Sequence, residues 1–338
     1  MNYIDKFIRK GTAARNKFKR SLGMLGITAA MLVSMINPVA AATRTINCSD
    51  VTCLKNALTN AKAGDDIVLA AGTTFKDKFV GTASGTSSNP ITIRSASTSS
   101  LAVLNGGGTG SGYGLQITGN YWVIKNVKVT NSQKGIMLDN SNNTVIDNVE
   151  VYNVGQEAVH FRDGSSNNVI KNSKIHDTGL ADPEFGEGVY VGSDKGKWST
   201  YAKEADNNRI TNLTFGPNVS AEHVDIKEGT TGTIVENSTF NGTGISGANY
   251  ADSFIDVKGN DVIIRKNTGN RNNNSKIVDA FQVHQQVSGW GLNAQFLDNT
   301  LNLNTATPYV VNAASGTTAK ASGNVRVPSG NMYTGSVK

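Results

Sequence analysis

The chain has 338 residues, with 32 Lys and Arg against 26 Asp and Glu and a formal net charge of +6. The whole excess lies in residues 1–42, where seven bases face the single acid Asp5, so residues 43–338 are formally neutral. A nucleic-acid-binding surface of the usual basic kind is thereby excluded.

Residues 1–42 read as a signal peptide. Lys6, Arg9, Lys10, Arg15, Lys17, Lys19 and Arg20 precede an apolar run over 22–36, followed by Pro38 and Ala40-Ala41-Ala42. A basic start, an apolar middle and a small-residue end mark an exported precursor. A membrane anchor would need roughly 20 apolar residues, and this run has fifteen. No later segment is apolar enough to span a bilayer. The mature chain, 43–338, is expected to be a secreted, monomeric single domain, extracellular or periplasmic.

Cys48 and Cys53 are the two cysteines. In an oxidising compartment they predict a local disulfide that pins the N-terminus. The next segment, 51–61, places Leu54, Leu58 and Ala61 at helical spacing. A short helix here, within a cap over 43–66, would cover the open end of a solenoid.

Beyond it, a repeat sets the architecture. Val123-Ile124-Lys125-Asn126, Val145-Ile146-Asp147-Asn148 and Val169-Ile170-Lys171-Asn172 share one pattern, which continues around Asn212, Asn237, Asn267 and Asn299. A period in the low twenties with insertions predicts stacked coils over 67–300, with the last coil and a loose tail in 301–338. Short β-branched runs between Gly, Asn and Ser turns make each coil a set of strands. Parallel strands stack like positions about 4.8 Å apart, so the 39 asparagines can form amide ladders in the turns. The predicted fold is all-β, a right-handed parallel β-helix with a short capping helix. In cap and first coil it resembles the pectate-lyase-like superfamily.

One strand position can then be compared down the stack. The segments are 135–139, 158–162, 188–192, 223–227, 254–258 and 280–284, whose second and fourth residues are apolar and point inward. The outward residues are His160 and Arg162, Tyr190 and Gly192, Asp225 and Lys227, Asp256 and Lys258, then Gln282 and His284. Glu157, Glu187, Glu222 and Asp279 lie just upstream. A decorative ladder of surface ion pairs would be worth only ~0–1 kcal/mol. Register would also put Asp225 beside Asp256 and Lys227 beside Lys258, which is unfavourable for like charges. Carboxylates stacked in this way suit Ca²⁺, and stacked lysines favour a lowered pKa on one of them.

These parts suit β-elimination from a uronic-acid polysaccharide. A cation must neutralise the sugar carboxylate, and a base must take the adjacent proton. Glu187, Glu222, Asp225 and Asp256 are the candidate Ca²⁺ ligands, Arg162 the carboxylate clamp and Lys227 the base. Lys258, His160, Tyr190 and His284 complete the candidate catalytic set.

The segment Glu222-His223-Val224-Asp225-Ile226-Lys227, with Thr233-Ile234-Val235-Glu236-Asn237-Ser238-Thr239-Phe240, resembles the alginate lyase and chondroitinase B family. The resemblance implies Glu222 as metal ligand and Lys227 as base. The family's further Glu is Ser220 here, and its Arg-His-Gly corresponds to Val257-Lys258-Gly259. The insertion between Asn172 and Asn212 supplies Lys195, Lys197, Trp198 and Tyr201 as candidate substrate contacts, with Gln282 on the face itself. The expected function is a lyase acting on an acidic polysaccharide. The competing functions are a non-catalytic glycan- or surface-binding β-helix, a glycoside hydrolase using Asp225 and Asp256, and a uronan epimerase.

Overall fold

The computed structural model describes residues 43–338; the signal peptide read from residues 1–42 lies outside the described residues. Beyond the first pair, each strand joins in parallel the strands three places before and after it in the chain. This gives three sheets of 11, 10 and 10 strands. The result is the expected right-handed β-helix.

Alternation within strands a few residues long builds the core. In the 11-stranded sheet Ile124, Ile146, Ile170, Ile210, Val235, Ile264 and Phe296 occupy one register line and are fully buried. Each such side chain contributes about 1.5–3 kcal/mol of transfer free energy.

The turn after each strand of this sheet needs a left-handed residue. Asn126, Asn148, Asn172, Asn212 and Asn237 supply it, with φ between 51° and 56°, a conformation Asn tolerates better than most residues. Their side chains connect adjacent coils: Asn148 donates to Asn126 at 2.8 Å and Asn212 to Asn172 at 2.7 Å. Asn267 and Asn299 do not continue this line. The left-handed positions there are Lys266 and Asp298. Asn267 and Asn299 sit one residue later, buried, and form a second ladder with Asn324. Buried amides must find partners, and stacking in register provides them.

The expected helix is Val51–Thr59, with Asp50 accepting from the Cys53 amide at 2.8 Å as its N-cap. Leu54, Ala57 and Leu58 are its buried face; Ala61 falls beyond its end. Cys48 and Cys53 form the disulfide that ties the first strand to the helix.

Residues 301–338 are more ordered than a loose tail. Their strands Tyr309–Ala313, Ala319–Ser322, Val325–Val327 and Tyr333–Gly335 extend the three sheets. The buried Arg326 guanidinium fastens them, donating to the carbonyls of Ala306, Pro308, Pro328 and Asn331 at 2.6–3.1 Å and to that of Thr305.

Candidate active site

The site lies on the outer face of one 10-stranded sheet. There His160, Tyr190, Asp225, Asp256, Gln282 and Asn312 stand on one register line. Because all strands run the same way, loops preceding them form one edge of this face and loops following them form the other. The first edge holds 180–187 and 246–252, and the second holds 193–203 and 284–290. Between them runs a groove of about 800 Å³. A second cavity of about 560 Å³ shares Phe185, Glu187, Tyr190 and Asp194 with it. The outward stripe is therefore largely enclosed, and Asp225 is only 3 % exposed.

Charges in the stripe interleave. Lys227 pairs with Asp225 at 2.7 Å, Lys258 bridges Asp225 at 2.9 Å and Asp256 at 2.5 Å, and His284 meets Asp256 at 2.9 Å. Stacked lysines led us to expect a lowered pKa on one of them, but both stand above the ordinary lysine value. Burial works to lower Lys227, and Asp225, Asp256 and Glu187 outweigh it. For Lys258, Asp225 and Asp256 likewise overcome burial. Asp256 is held below the usual carboxylate range against its burial, by Lys258 and His284. It therefore does not keep the proton that a hydrolase's general acid would need. His284 is raised, first by its bond to Asp256.

Three of the four candidate metal ligands come together. Carboxylate oxygens of Glu187, Glu222 and Asp225 lie within 4.8 Å of one another, whereas Asp256 is taken by Lys258 and His284. Burial, then Glu157 and Asp225, push Glu187 up to about 8. Burial, then Asp225, raise Glu222 well above its ordinary value. Among the described residues neither is hydrogen-bonded to another side chain. Two buried carboxyls that no other side chain hydrogen-bonds, beside Asp225 with its two lysines, fit a hard cation such as Ca²⁺ or a shared proton.

Tyr190 stands beside this cluster, its ring 5.0 Å from the Lys227 ammonium. Burial, then Asp225 and Glu187, raise its pKa well above the ordinary value, so the phenol keeps its proton. His160 packs edge-on to Tyr190. Both its ring nitrogens are engaged, by Glu157 and by the Gly192 carbonyl, each at 2.8 Å. Burial lowers its pKa, with Glu157 opposing; the ring supports Tyr190.

Arg162 is clamped by Asp139, to which Nε and Nη2 donate at 2.6 and 3.0 Å, and Tyr201 covers its face at 4.1 Å. The sequence aligned Asp139 with Arg162 in the stack, as their register confirms, but did not count it among the site residues. Lys197 and Tyr201 line the smaller cavity. Lys195 crosses to the Gln286 carbonyl at 3.0 Å. Trp198 turns into its own loop, donating to the Ser193 carbonyl at 3.0 Å. His223 belongs to the interior: it stacks with Phe240 and Phe254 and packs at a tilt on Phe215, and burial drives its pKa down to about 3.

The Pel9A-like, right-handed β-helix region family matches residues 39–196. The crystal structure of an alginate lyase from Paenibacillus sp. str. FPU-7 is 63% identical with a TM-score of 0.87, covering 87% of this chain and 99% of that chain. Pectate lyase Pel9A shares the fold at 17% identity and TM-score 0.65, covering 88% of this chain and 79% of that chain. No curated protein sequence matches. Fold and relatives place the chain among right-handed parallel β-helix proteins, a fold it shares with two polysaccharide lyases. The chain belongs to one family with the Paenibacillus lyase.

Proposed function

We propose that the chain is exported, loses residues 1–42, and as a β-helix of residues 43–338 cleaves an alginate-type polyuronate by β-elimination. The observation that carries this reading is the meeting of Tyr190 and Lys227 at the floor of the groove, 5.0 Å from ring to ammonium. High identity to an alginate lyase supports the substrate class.

Lys227 is the base in this mechanism once it has given up the proton that Asp225, Asp256 and Glu187 favour. It removes the proton on the carbon bearing the sugar carboxylate, the electron pair forms the new C=C bond, and the neighbouring C–O bond breaks. Tyr190, which keeps its phenolic proton, donates it to the leaving oxygen. Arg162, which lines the adjoining cavity, is the group assigned to a neighbouring sugar carboxylate.

The groove is lined by eight carboxylates against two lysines and one histidine, an unfavourable balance for a polyanion. Glu187, Glu222 and Asp225 are the residues that would hold a Ca²⁺. Bound there, Ca²⁺ would supply charge to polarise the sugar carboxylate and would ease proton loss from Lys227. The test is ultraviolet absorbance of the unsaturated product from alginate, pectate and glucuronan. Reducing ends without absorbance would mean hydrolysis, and altered uronate stereochemistry without cleavage would mean epimerisation. Either result would overturn the lyase mechanism.

A further inference from the structure

On the edge preceding the site strands, two turns lie against each other: Pro183–Phe185 and Ala248–Tyr250. Each ends in an aromatic side chain that faces solvent at the groove. Phe185 is 43% exposed and Tyr250 87% exposed, yet both line the groove wall. Phe185 lines the smaller cavity as well, so it stands where the two spaces join. Large exposed apolar groups at the mouth of a polar cleft mark a binding surface. Tyr250 also holds a left-handed backbone, φ 64°, directly after Asn249 at φ 50°. That conformation is costly for a bulky residue and recurs at ligand clamps.

We propose that Phe185 and Tyr250 form an aromatic clamp that binds successive sugar rings of the polysaccharide along this wall. The flat apolar face of a pyranose matches an aromatic ring. The stripe beneath meets carboxylates and hydroxyls, so the clamp supplies the apolar half of recognition. On the opposite edge Tyr201 is already covered by Arg162 and Trp198 turns into its own loop, which leaves the stacking to the first edge. The proposal rests on the polysaccharide-lyase reading for its ligand, but not on the roles given to Lys227 and Tyr190.

Binding is therefore measured apart from turnover. Affinity electrophoresis through alginate-containing gels would compare Lys227→Ala with the same variant carrying Phe185→Ala or Tyr250→Ala. Each added substitution is expected to weaken retention about tenfold, or ~1.4 kcal/mol, with the melting temperature unchanged; Tyr250→Phe should restore it. In the otherwise native enzyme Tyr250→Ala should raise KM for polymer about tenfold and leave kcat within twofold. Unchanged retention in both Ala variants, or a loss in kcat without one in KM, would overturn the clamp. A Lys227→Ala protein that still cleaves alginate would overturn the base assignment and leave the clamp standing.

Discussion

Lys227 and Tyr190 are distinguishable by substitution. Lys227→Ala is expected to lower kcat by about 10²–10⁴ with circular dichroism unchanged. Tyr190→Phe should do the same while keeping the ring against His160; a Phe variant at full rate would remove the phenol from proton transfer. Glu187 offers a test in pH. Its carboxyl rises from an ordinary 4.5 to about 8 in the folded chain. Between those values the folded state holds a proton that the unfolded state has released, so stability is lost as pH climbs through the window. Glu187→Gln should therefore match the parent near pH 5 and melt higher near pH 8 in chelator; a gap that does not widen with pH would refute the shift. The sequence made the stripe legible, because alternation fixes which side chains face out. Their partners were less so. Lys258 reaches two coils at once, and no linear pattern shows that it sits between Asp225 and Asp256 rather than against Lys227.

At the level of elements, the strands and the first five turn asparagines were readable because the same short pattern recurs around each of them. Asn267 and Asn299 were misaligned by one residue, since an Asn suits both the left-handed corner and the buried position after it. In the loops 180–187 and 246–252 only Glu187 was legible, as insertions break the repeat that made everything else comparable. A last coil was expected in 301–338, but the order of the tail escaped notice for another reason: one cation, Arg326, satisfies a cluster of backbone carbonyls, a use of charge that composition cannot suggest. Arg326→Ala should speed hydrogen exchange over 309–335 by at least tenfold and leave lyase rate nearly intact. Exchange spread evenly along the chain would show that the last coil is not a separate unit.

For the molecule as a whole, the balance of charge in the groove decides whether a polyanion can enter. Eight carboxylates line it, and their repulsion falls when a proton or a divalent ion joins Glu187, Glu222 and Asp225. Chelator is expected to cut activity on alginate at least tenfold and to lower the melting temperature at pH 8 more than at pH 5, with Ca²⁺ reversing both. No response in either measurement would exclude the triad as a functional cation site.

The two ends of the solenoid are held by different means. A covalent bridge and a packed helix close the first coil, while hydrogen bonds to Arg326 fasten the last. Under denaturant or mechanical load the stack should consequently peel from the C-terminal side, one coil after another. The working coils, 158–192 through 280–284, lie inside the stack, so the terminal turns act as a sacrificial margin that gives way before the catalytic face is touched.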